Sequence, residues 1–196
     1  MRIEPIEAPK GLLMRLSYRL LRQQLGKTIT PWKVIFARLP GAIPSQLGIY
    51  WGLERGVRLD RDLALMLQAL VAGLNGCAFC LDIGRAQAAS RSNLQEKLNE
   101  KLDAVASFRT SPLFSERERA ALAYVDEATR NRRVSDDTFA TLRRHFDDRE
   151  IVAITWLNAV ENYFNLLNVP LGIESDGLCA IAEARAPRGS RQRPAA

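Results

Sequence analysis

Two cysteines three residues apart, Cys77 and Cys80, are the residues of this sequence best suited to chemistry. They follow Asn75-Gly76, a pair that ends one helical segment and lets the next begin at the first cysteine. At this spacing two side chains share a helix face, about 5–6 Å apart at Cβ, which allows a disulfide after a small adjustment. The unpaired amides of a helix N-terminus stabilise a thiolate, the form of cysteine that attacks peroxides and disulfides. The pair therefore predicts thiol redox chemistry, in which one cysteine attacks and the other resolves the product.

Two other interpretations of the cysteine pair stay open from the residues alone. A structural zinc site normally takes four ligands, and the chain adds only Cys179 and His145, so we expect no bound metal and no cofactor. Unreactive buried cysteines are also common, because a free cysteine packs like a small hydrophobic residue. We expect Cys179 to be such a packing residue near the end of the last helix. His145 follows two arginines near the predicted C-terminus of a helix. A histidine there interacts favourably with the helix dipole, so we expect a structural rather than a catalytic role.

Helices must position the pair, because the apolar residues repeat with helical period and no stretch alternates as a strand does. Prolines, glycines and capping residues divide the chain into eight or nine helices, which predicts an all-α bundle. In the first half of the chain the predicted helices are one over 12–25 closed by Gly26, a short one from the cap Thr30 to Arg38, one from Pro44 to about Gly56, one from the cap Asp60 to Leu74 and one beginning at Cys77. In the second half, helices are predicted after the caps Asn93, Ser115 and Ser135. A long helix follows the cap Asp147 and runs to about Asn168, and a last helix lies near the C-terminus.

Composition indicates one folded domain over 1–184 and a basic, flexible tail over 185–196. Hydrophobic residues make up 47% of the 196 residues, enough for a core. The net charge of +6 lies at the ends: residues 1–38 carry +6 and the tail carries +4, which leaves −4 on the body. A nucleic-acid binder needs a basic face on its folded body, so we expect no nucleic-acid partner. No apolar run spans a bilayer and the first residues do not form a signal peptide, so we expect a cytoplasmic protein that does not contact the membrane.

Three segments resemble the carboxymuconolactone decarboxylase and alkylhydroperoxidase D-like (AhpD-like) family. Residues 74–82 (LNGCAFCLD) are similar to its signature, and residues 111–118 and 158–172 are similar to later parts of its sequence, including an asparagine-rich closing helix. The resemblance implies an AhpD-like helical bundle that assembles into dimers, trimers or hexamers. It also implies that Cys80 attacks the peroxide, that Cys77 resolves the intermediate, and that a dithiol reductant restores the pair.

The sequence departs from the peroxidase branch of this family at two positions. That branch has a glutamate twelve residues before the first cysteine and a histidine four after the second, and here these positions are Leu65 and Gly84. The usual proton relay is therefore missing, and we expect slow peroxide turnover. Three residues could replace the relay. Asp82 should point away from Cys80 on a helix, Arg85 could stabilise a thiolate but cannot act as a base, and Glu161 could act as a relay or form an ion pair at a subunit contact.

The best prediction is a dithiol-dependent peroxidase or disulfide oxidoreductase in antioxidant defence, acting through Cys77 and Cys80. Two alternatives remain: a lactone decarboxylase, for which the sequence offers no convincing set of acid and base groups, and a non-catalytic oligomeric scaffold or redox sensor. We expect a homo-oligomer, because the predicted helix over 151–168 is apolar on more than one face.

Overall fold

The computed structural model describes residues 1–89 and 95–185, apart from the side chains of residues 54, 95 and 96. This part of the chain holds nine α-helices and no strand, as the all-α prediction requires. The helices are α1 Leu12–Leu25, α2 Ile43–Arg55, α3 Arg61–Leu74, α4 Ala78–Ala89, α5 Gln95–Ala104, α6 Glu116–Asn131, α7 Asp136–Arg143, α8 Asp148–Asn168 and α9 Leu178–Arg185. Short 3-10 turns lie at Pro40–Ala42 and Val105–Ser107, and a π-helical turn lies at Trp32–Phe36.

Side-chain caps fix the beginnings of four of these helices. Asp60 accepts from two backbone amides at the start of α3, and Ser135 caps α7. Ser115 and Asp147 form full capping boxes with Glu118 and Glu150, in which each side chain bonds the backbone N–H of the other residue. These caps confirm the predicted helix boundaries, including the start of the long helix α8.

The described core consists of two apolar clusters that share α3. One cluster joins α3 to α5, α6, α7 and α8, and the other joins the N-terminal segment, α1, α4 and the segment leading into α9. Helix α3 packs against α4, α6 and α8, so it lies at the centre of the bundle. Cys77 and Cys80 belong to the second cluster and lie on the side of this cluster that packs against α8. The two clusters thus hold the dithiol between the start of α4 and the end of α8.

Two local predictions are wrong, and both concern residues that lie near the start of the last helix. Cys179 is the second residue of α9 rather than a residue near its end, and its thiol is partly exposed. Thr30 does not cap the turn that follows it, because its amide and its hydroxyl both donate to the Asp176 carboxylate, at 2.6 and 2.8 Å. Both residues lie where the segment before α9 returns to the body of the protein. The predicted cap Asn93 and the tail beyond Arg185 lie outside the described residues.

A band of apolar side chains on α8 remains exposed in the single chain. Val152, Trp156 and Leu166 recur along one face of α8, and Trp51 of α2 is exposed as well. The homo-oligomer stays a prediction, and this face is the surface that it would use. In the described part of the chain, no helix combines the length and the apolar character that a membrane span requires.

Candidate active site

The dithiol lies at the N-terminus of α4, where the sequence places it. Gly76 adopts a left-handed conformation with φ of 68°, which reverses the chain after α3. The Cys77 amide then donates to the Ala72 carbonyl at 2.9 Å. Cys77 and Cys80 are joined as a disulfide with their Cα atoms 5.3 Å apart, and the Cys80 amide donates to the Cys77 sulfur at 3.3 Å. The tight turn therefore places the pair at the start of α4, where a backbone amide reaches the Cys77 sulfur.

Two asparagines from the end of α8 donate to the sulfur of Cys80. The Nδ2 atom of Asn165 lies 3.2 Å from this sulfur, and that of Asn168 lies 3.5 Å from it. Asn168 is farther from the Cys77 sulfur, at 3.9 Å. Hydrogen bonds to a charged group favour its charged form, so both amides favour a thiolate at Cys80 over one at Cys77. Sequence reasoning did not identify these two asparagines as site residues; the signal was their spacing of three on the asparagine-rich helix.

Glu161 lies one helical turn from Asn165 and shares its amide with Cys80. The Nδ2 atom of Asn165 donates to Oε1 of Glu161 at 2.8 Å, and Gln68 of α3 donates to Oε2 at 3.5 Å. Only 5% of Glu161 is exposed. Burial raises the pKa of Glu161 to about 7, although its hydrogen bonds to Asn165 and Gln68 oppose the rise. Glu161 can therefore take up or release a proton close to neutral pH.

Asn75 fixes the orientation of the bridging amide. Its Nδ2 atom donates to Oδ1 of Asn165 at 2.8 Å and to Oδ1 of Asn162 at 3.0 Å. Because the oxygen of Asn165 already accepts from Asn75, its nitrogen must face Glu161 and Cys80. The residue that breaks the helix before the dithiol thus also orients the amide that binds the sulfur.

A cavity of about 760 Å³ opens onto the Cys80 side of the dithiol. Cys80, Glu161 and Asn168 line it, and Cys77 does not. Most of the remaining wall is apolar and includes five aromatic rings, those of Trp32, Phe36, Tyr50, Phe79 and Phe164. Leu65, which the resemblance predicts to correspond to the glutamate of the peroxidase branch, is part of this apolar wall. Gly84 lies on α4 with open space where a side chain would project. A buried, largely apolar pocket with a few convergent polar groups is typical of small-molecule sites.

Two acceptors and one hydroxyl in this cavity are available to a ligand. Oε1 of Gln46 and Oδ1 of Asn168 are buried and have no hydrogen-bond partner among the described residues. The side-chain amide of Gln46 instead bonds Tyr50, whose ring stacks on Phe164 with centroids 5.7 Å apart. Burial raises the pKa of Tyr50, and the neighbouring charge of Glu161 raises it further. Tyr50 is therefore protonated near neutral pH and can donate a hydrogen bond into the cavity.

The other two auxiliary candidates, Asp82 and Arg85, are engaged elsewhere. The Asp82 carboxylate accepts from the backbone amides of Asp176, Leu178 and Cys179 at 2.9–3.0 Å. Burial opposes ionisation of Asp82, but the hydrogen bonds from these amides outweigh it and lower its pKa. Arg85 forms an exposed ion pair with Asp103 at 2.6 Å. Neither residue has a hydrogen bond to the dithiol among the described contacts, so Glu161 is the candidate that the structure brings to the sulfur.

We expect Asp82→Asn to destabilise the fold without slowing the dithiol. An asparagine offers one acceptor oxygen where the carboxylate offers two, so at least one buried amide at the start of α9 loses its partner, at a cost of about 1–3 kcal/mol. Because the folded pKa of Asp82 is lowered, its contribution is present above the ordinary pKa of 3.8 and is lost as the pH falls through the folded value. Urea unfolding at neutral and acidic pH should therefore show a difference from wild type only at neutral pH.

The matched control for this prediction is Asp103→Asn, which removes an exposed carboxylate from the same region. It should change neither stability nor thiol oxidation by a measurable amount. If Asp82→Asn kept wild-type stability and slowed thiol oxidation, Asp82 would have to be assigned to the chemistry after all.

Comparison with known proteins identifies the family of the chain. No protein-family model matches the chain. The chain is 32% identical over 180 residues to the uncharacterized protein YnjA of Escherichia coli, covering 89% of this chain and 94% of YnjA. It is also similar to a crystal structure of ATU0492 from Agrobacterium tumefaciens, named there as a candidate antioxidant defence protein AhpD. That match has 28% identity and a TM-score of 0.64 over 72% of this chain and 96% of ATU0492. The chain belongs to the AhpD-like family.

Another solved structure extends the likeness in fold to almost the whole chain. It is a cysteine-to-alanine variant of the debrominase Bmp8 in complex with 2,3,4-tribromopyrrole, with a TM-score of 0.76 and 16% identity over 93% of this chain and 95% of Bmp8. At this identity the comparison shows the fold alone. The predicted helical fold is thus confirmed by solved structures that cover 72% and 93% of this chain.

Proposed function

We propose that this AhpD-like protein is a dithiol-dependent peroxidase in which Cys80 attacks the peroxide and Cys77 resolves the product. The observation that carries the proposal is the asymmetry of the two sulfurs. Cys80 lines the cavity and accepts from two asparagine amides, whereas Cys77 is fully buried and does not line it. A substrate in the cavity therefore meets Cys80 first.

Glu161 supplies the proton transfer that a relay would otherwise provide. Its Oε1 atom and the Cys80 sulfur bind the same nitrogen of Asn165, at 2.8 and 3.2 Å, so they lie about 6 Å apart at most. This separation allows transfer through one water or, after a small movement, directly. With a pKa of about 7, Glu161 is partly ionised at neutral pH and can accept the thiol proton. The helix terminus and the two asparagine amides stabilise the resulting thiolate.

The Cys80 thiolate attacks the terminal oxygen of the hydroperoxide, the O–O bond breaks, and the leaving alkoxide takes the proton held by Glu161. Cys80 is then a sulfenic acid. The Cys77 sulfur attacks the sulfur of Cys80, the S–O bond breaks, and water leaves with the Cys77 proton. A dithiol reductant reduces the disulfide and is itself oxidised.

A second reaction of the same dithiol is reductive removal of halogen from an aromatic ring. The five aromatic side chains of the cavity favour a flat ligand, and the debrominase Bmp8 shares the fold. In this reaction the dithiol supplies two electrons and becomes the disulfide, while the ring exchanges bromine for hydrogen and bromide leaves. The peroxide reaction is preferred because sulfur needs no further activation to attack an O–O bond. The structure shows no set of acid and base groups suited to lactone decarboxylation among the described residues of the cavity other than Glu161 and Tyr50.

The experiment that tests the proposal maps disulfides by mass spectrometry after one equivalent of peroxide is added to the reduced protein. Cys179 is an internal control, because burial and a hydrogen bond to Glu183 raise its pKa to about 11 and keep it protonated. We expect the Cys77–Cys80 disulfide to form at least about 100-fold faster than Cys179 oxidises, since only the thiolate reacts. Equal rates at all three cysteines would contradict the peroxidase function. Disulfide formation with bromide release from tribromopyrrole, but not with peroxides, would favour the halogen reaction.

A further inference from the structure

Two arginines line the same cavity as Cys80, at the end opposite the sulfur. Arg55 is the last residue of α2 and Arg61 is the first of α3, and both line the cavity while remaining exposed. Among the described side chains neither arginine has a carboxylate within salt-bridge distance; Arg55 lies 6.0 Å from the centre of the Trp51 ring. The neighbouring carboxylate of Asp60 is held by the amides of Asp62 and Leu63. Within the described side chains, both guanidinium groups therefore keep donors that an anion could accept from.

One wall of the cavity follows α3 from Arg61 to Gln68, the residue that binds Glu161. On α3, Arg61, Leu65 and Gln68 line the cavity from one helix face, and Gln68 bonds Glu161. Seven residues of helix correspond to roughly 10 Å at 1.5 Å per residue. On α2 the order is reversed, with Gln46 at the inner end and Arg55 at the outer end. Both walls therefore run from polar groups beside Cys80 to a positive charge at the turn between α2 and α3.

The part of the cavity between Cys80 and the two arginines is apolar and is much larger than hydrogen peroxide requires. A water-sized molecule needs about 30 Å³, whereas the cavity holds about 760 Å³. Leu53, Leu65 and Phe164 are among the apolar groups that line it. At the inner end, Asn168 donates to the Cys80 sulfur while its Oδ1 atom is buried without a partner. This oxygen is placed to accept the O–H of a hydroperoxide whose terminal oxygen meets the sulfur.

We propose that the substrate is an organic hydroperoxide that carries a carboxylate about 10 Å from its peroxide group, and that Arg55 and Arg61 bind this carboxylate. The inference rests on the proposed peroxidase function and adds to it the chemical class of the substrate. The guanidinium pair binds the anion, the apolar wall binds the hydrocarbon body, and Asn168 orients the peroxide against Cys80. A carboxylate that stays at the exposed end of the cavity keeps its hydration, so its binding costs little desolvation.

The test compares linoleic acid hydroperoxide with its methyl ester, each below its micelle-forming concentration. The two molecules differ in the charge at the carboxyl end. We expect the wild-type rate constant for Cys80 oxidation to be about 10-fold higher or more for the acid than for the ester, and the ratio to fall as salt is added. Arg55→Ala combined with Arg61→Ala should bring the ratio close to one by slowing mainly the acid. The rates with the ester and with hydrogen peroxide, which lack the carboxylate, should fall by much less than the rate with the acid.

Arg58→Ala is the matched control, because Arg58 is exposed on the same turn but does not line the cavity. It should leave the ratio unchanged. A wild-type ratio near one, or an equal loss in Arg58→Ala and in the double variant, would overturn the proposal; the second result would indicate general attraction by the basic turn. A third result would also overturn the proposal, namely equal rates with the acid and the ester together with a salt-dependent rate of disulfide reduction. It would indicate that the arginines bind an acidic reductant.

A binding measurement separates this inference from the peroxidase function. Calorimetric titration of the Cys80→Ser variant with linoleate should give saturable binding that the added double arginine substitution weakens about 10-fold or more. Binding of this kind without any peroxide reaction would overturn the peroxidase function and leave the carboxylate site standing. A peroxide reaction without linoleate binding would overturn the carboxylate site alone.

Discussion

Replacing Cys80 with serine is expected to abolish peroxide-dependent oxidation of the dithiol, whereas Cys77→Ser should let a sulfenic acid accumulate at Cys80. Cys80 is the sulfur that lines the cavity and accepts from both asparagines. A serine hydroxyl is not a nucleophile at neutral pH without a strong base, so the loss should be roughly 10³-fold or more. Cys77→Ser keeps the first attack and removes the resolving sulfur. Rapid-mixing kinetics followed by trapping with dimedone and mass spectrometry would measure both effects.

Cys179→Ser is the control for the two cysteine variants. It removes a thiol that lies at the start of α9 and should leave peroxide oxidation of the dithiol unchanged. If Cys77→Ser lost the first step and Cys80→Ser accumulated a sulfenic acid at Cys77, the assignment of the two roles would be reversed. Equal, partial losses in both variants would mean that the cavity does not select which sulfur meets the peroxide.

Glu161→Gln is expected to slow attack on the peroxide by roughly 10²-fold or more, because the glutamine cannot take the thiol proton or return it to the leaving alkoxide. The wild-type rate should rise with pH as Glu161 loses its proton around its pKa of about 7. The variant should lack this rise and respond only to ionisation of Cys80 itself. The rate of disulfide formation between about pH 5 and 9 measures the difference.

The same substitution is expected to stabilise the fold at alkaline pH. The folded pKa of Glu161 is raised from 4.5 to about 7, so ionisation adds no cost below pH 4.5; the cost grows as the pH rises from 4.5 to about 7 and is constant above that. At about 1.4 kcal/mol for each tenfold change in acidity, the full cost is roughly 3 kcal/mol. Urea unfolding of the oxidised protein should therefore show Glu161→Gln to be more stable than wild type at pH 8 and equal to it at pH 4. Gln68 can rotate its amide to present an oxygen to the new side chain.

Glu183→Gln is the control for both parts of the Glu161 prediction. Glu183 is exposed on α9, so its substitution should alter neither the pH dependence of the rate nor the free energy of unfolding. If Glu161→Gln kept the wild-type pH profile, the carboxylate would be a structural group and the proton transfer would have to be assigned elsewhere. If it were also less stable than wild type at pH 8, the raised pKa itself would be wrong.

The sequence by itself determined the features that depend on neighbouring residues. Asn75-Gly76 places a helix start at Cys77, and a spacing of three brings Cys80 onto the same face, so the reactive pair follows from local geometry. The capping residues Asp60, Ser115 and Asp147 fix helix starts in the same way, because each bonds an amide two or three residues away. The family signature adds the fold, since it resembles a pattern that spans most of the chain.

Only the tertiary structure decided which polar groups meet the sulfur. Asn165 reaches Cys80 across 85 residues of sequence, and Gln68 reaches Glu161 across 93. The structural role of Asp82 depends likewise on backbone amides more than 90 residues away. These hydrogen bonds lie at the start of α9, where Cys179 lies, so the sequence predicted the position of Cys179 in this helix wrongly. Helical period predicts which face of a helix is buried, but the partner of that face depends on how the helices pack. For this reason the dithiol and the candidate Glu161 could be identified from the chain, whereas the hydrogen bonds that connect Glu161 to the site, the cavity and the arginines that line it required the fold.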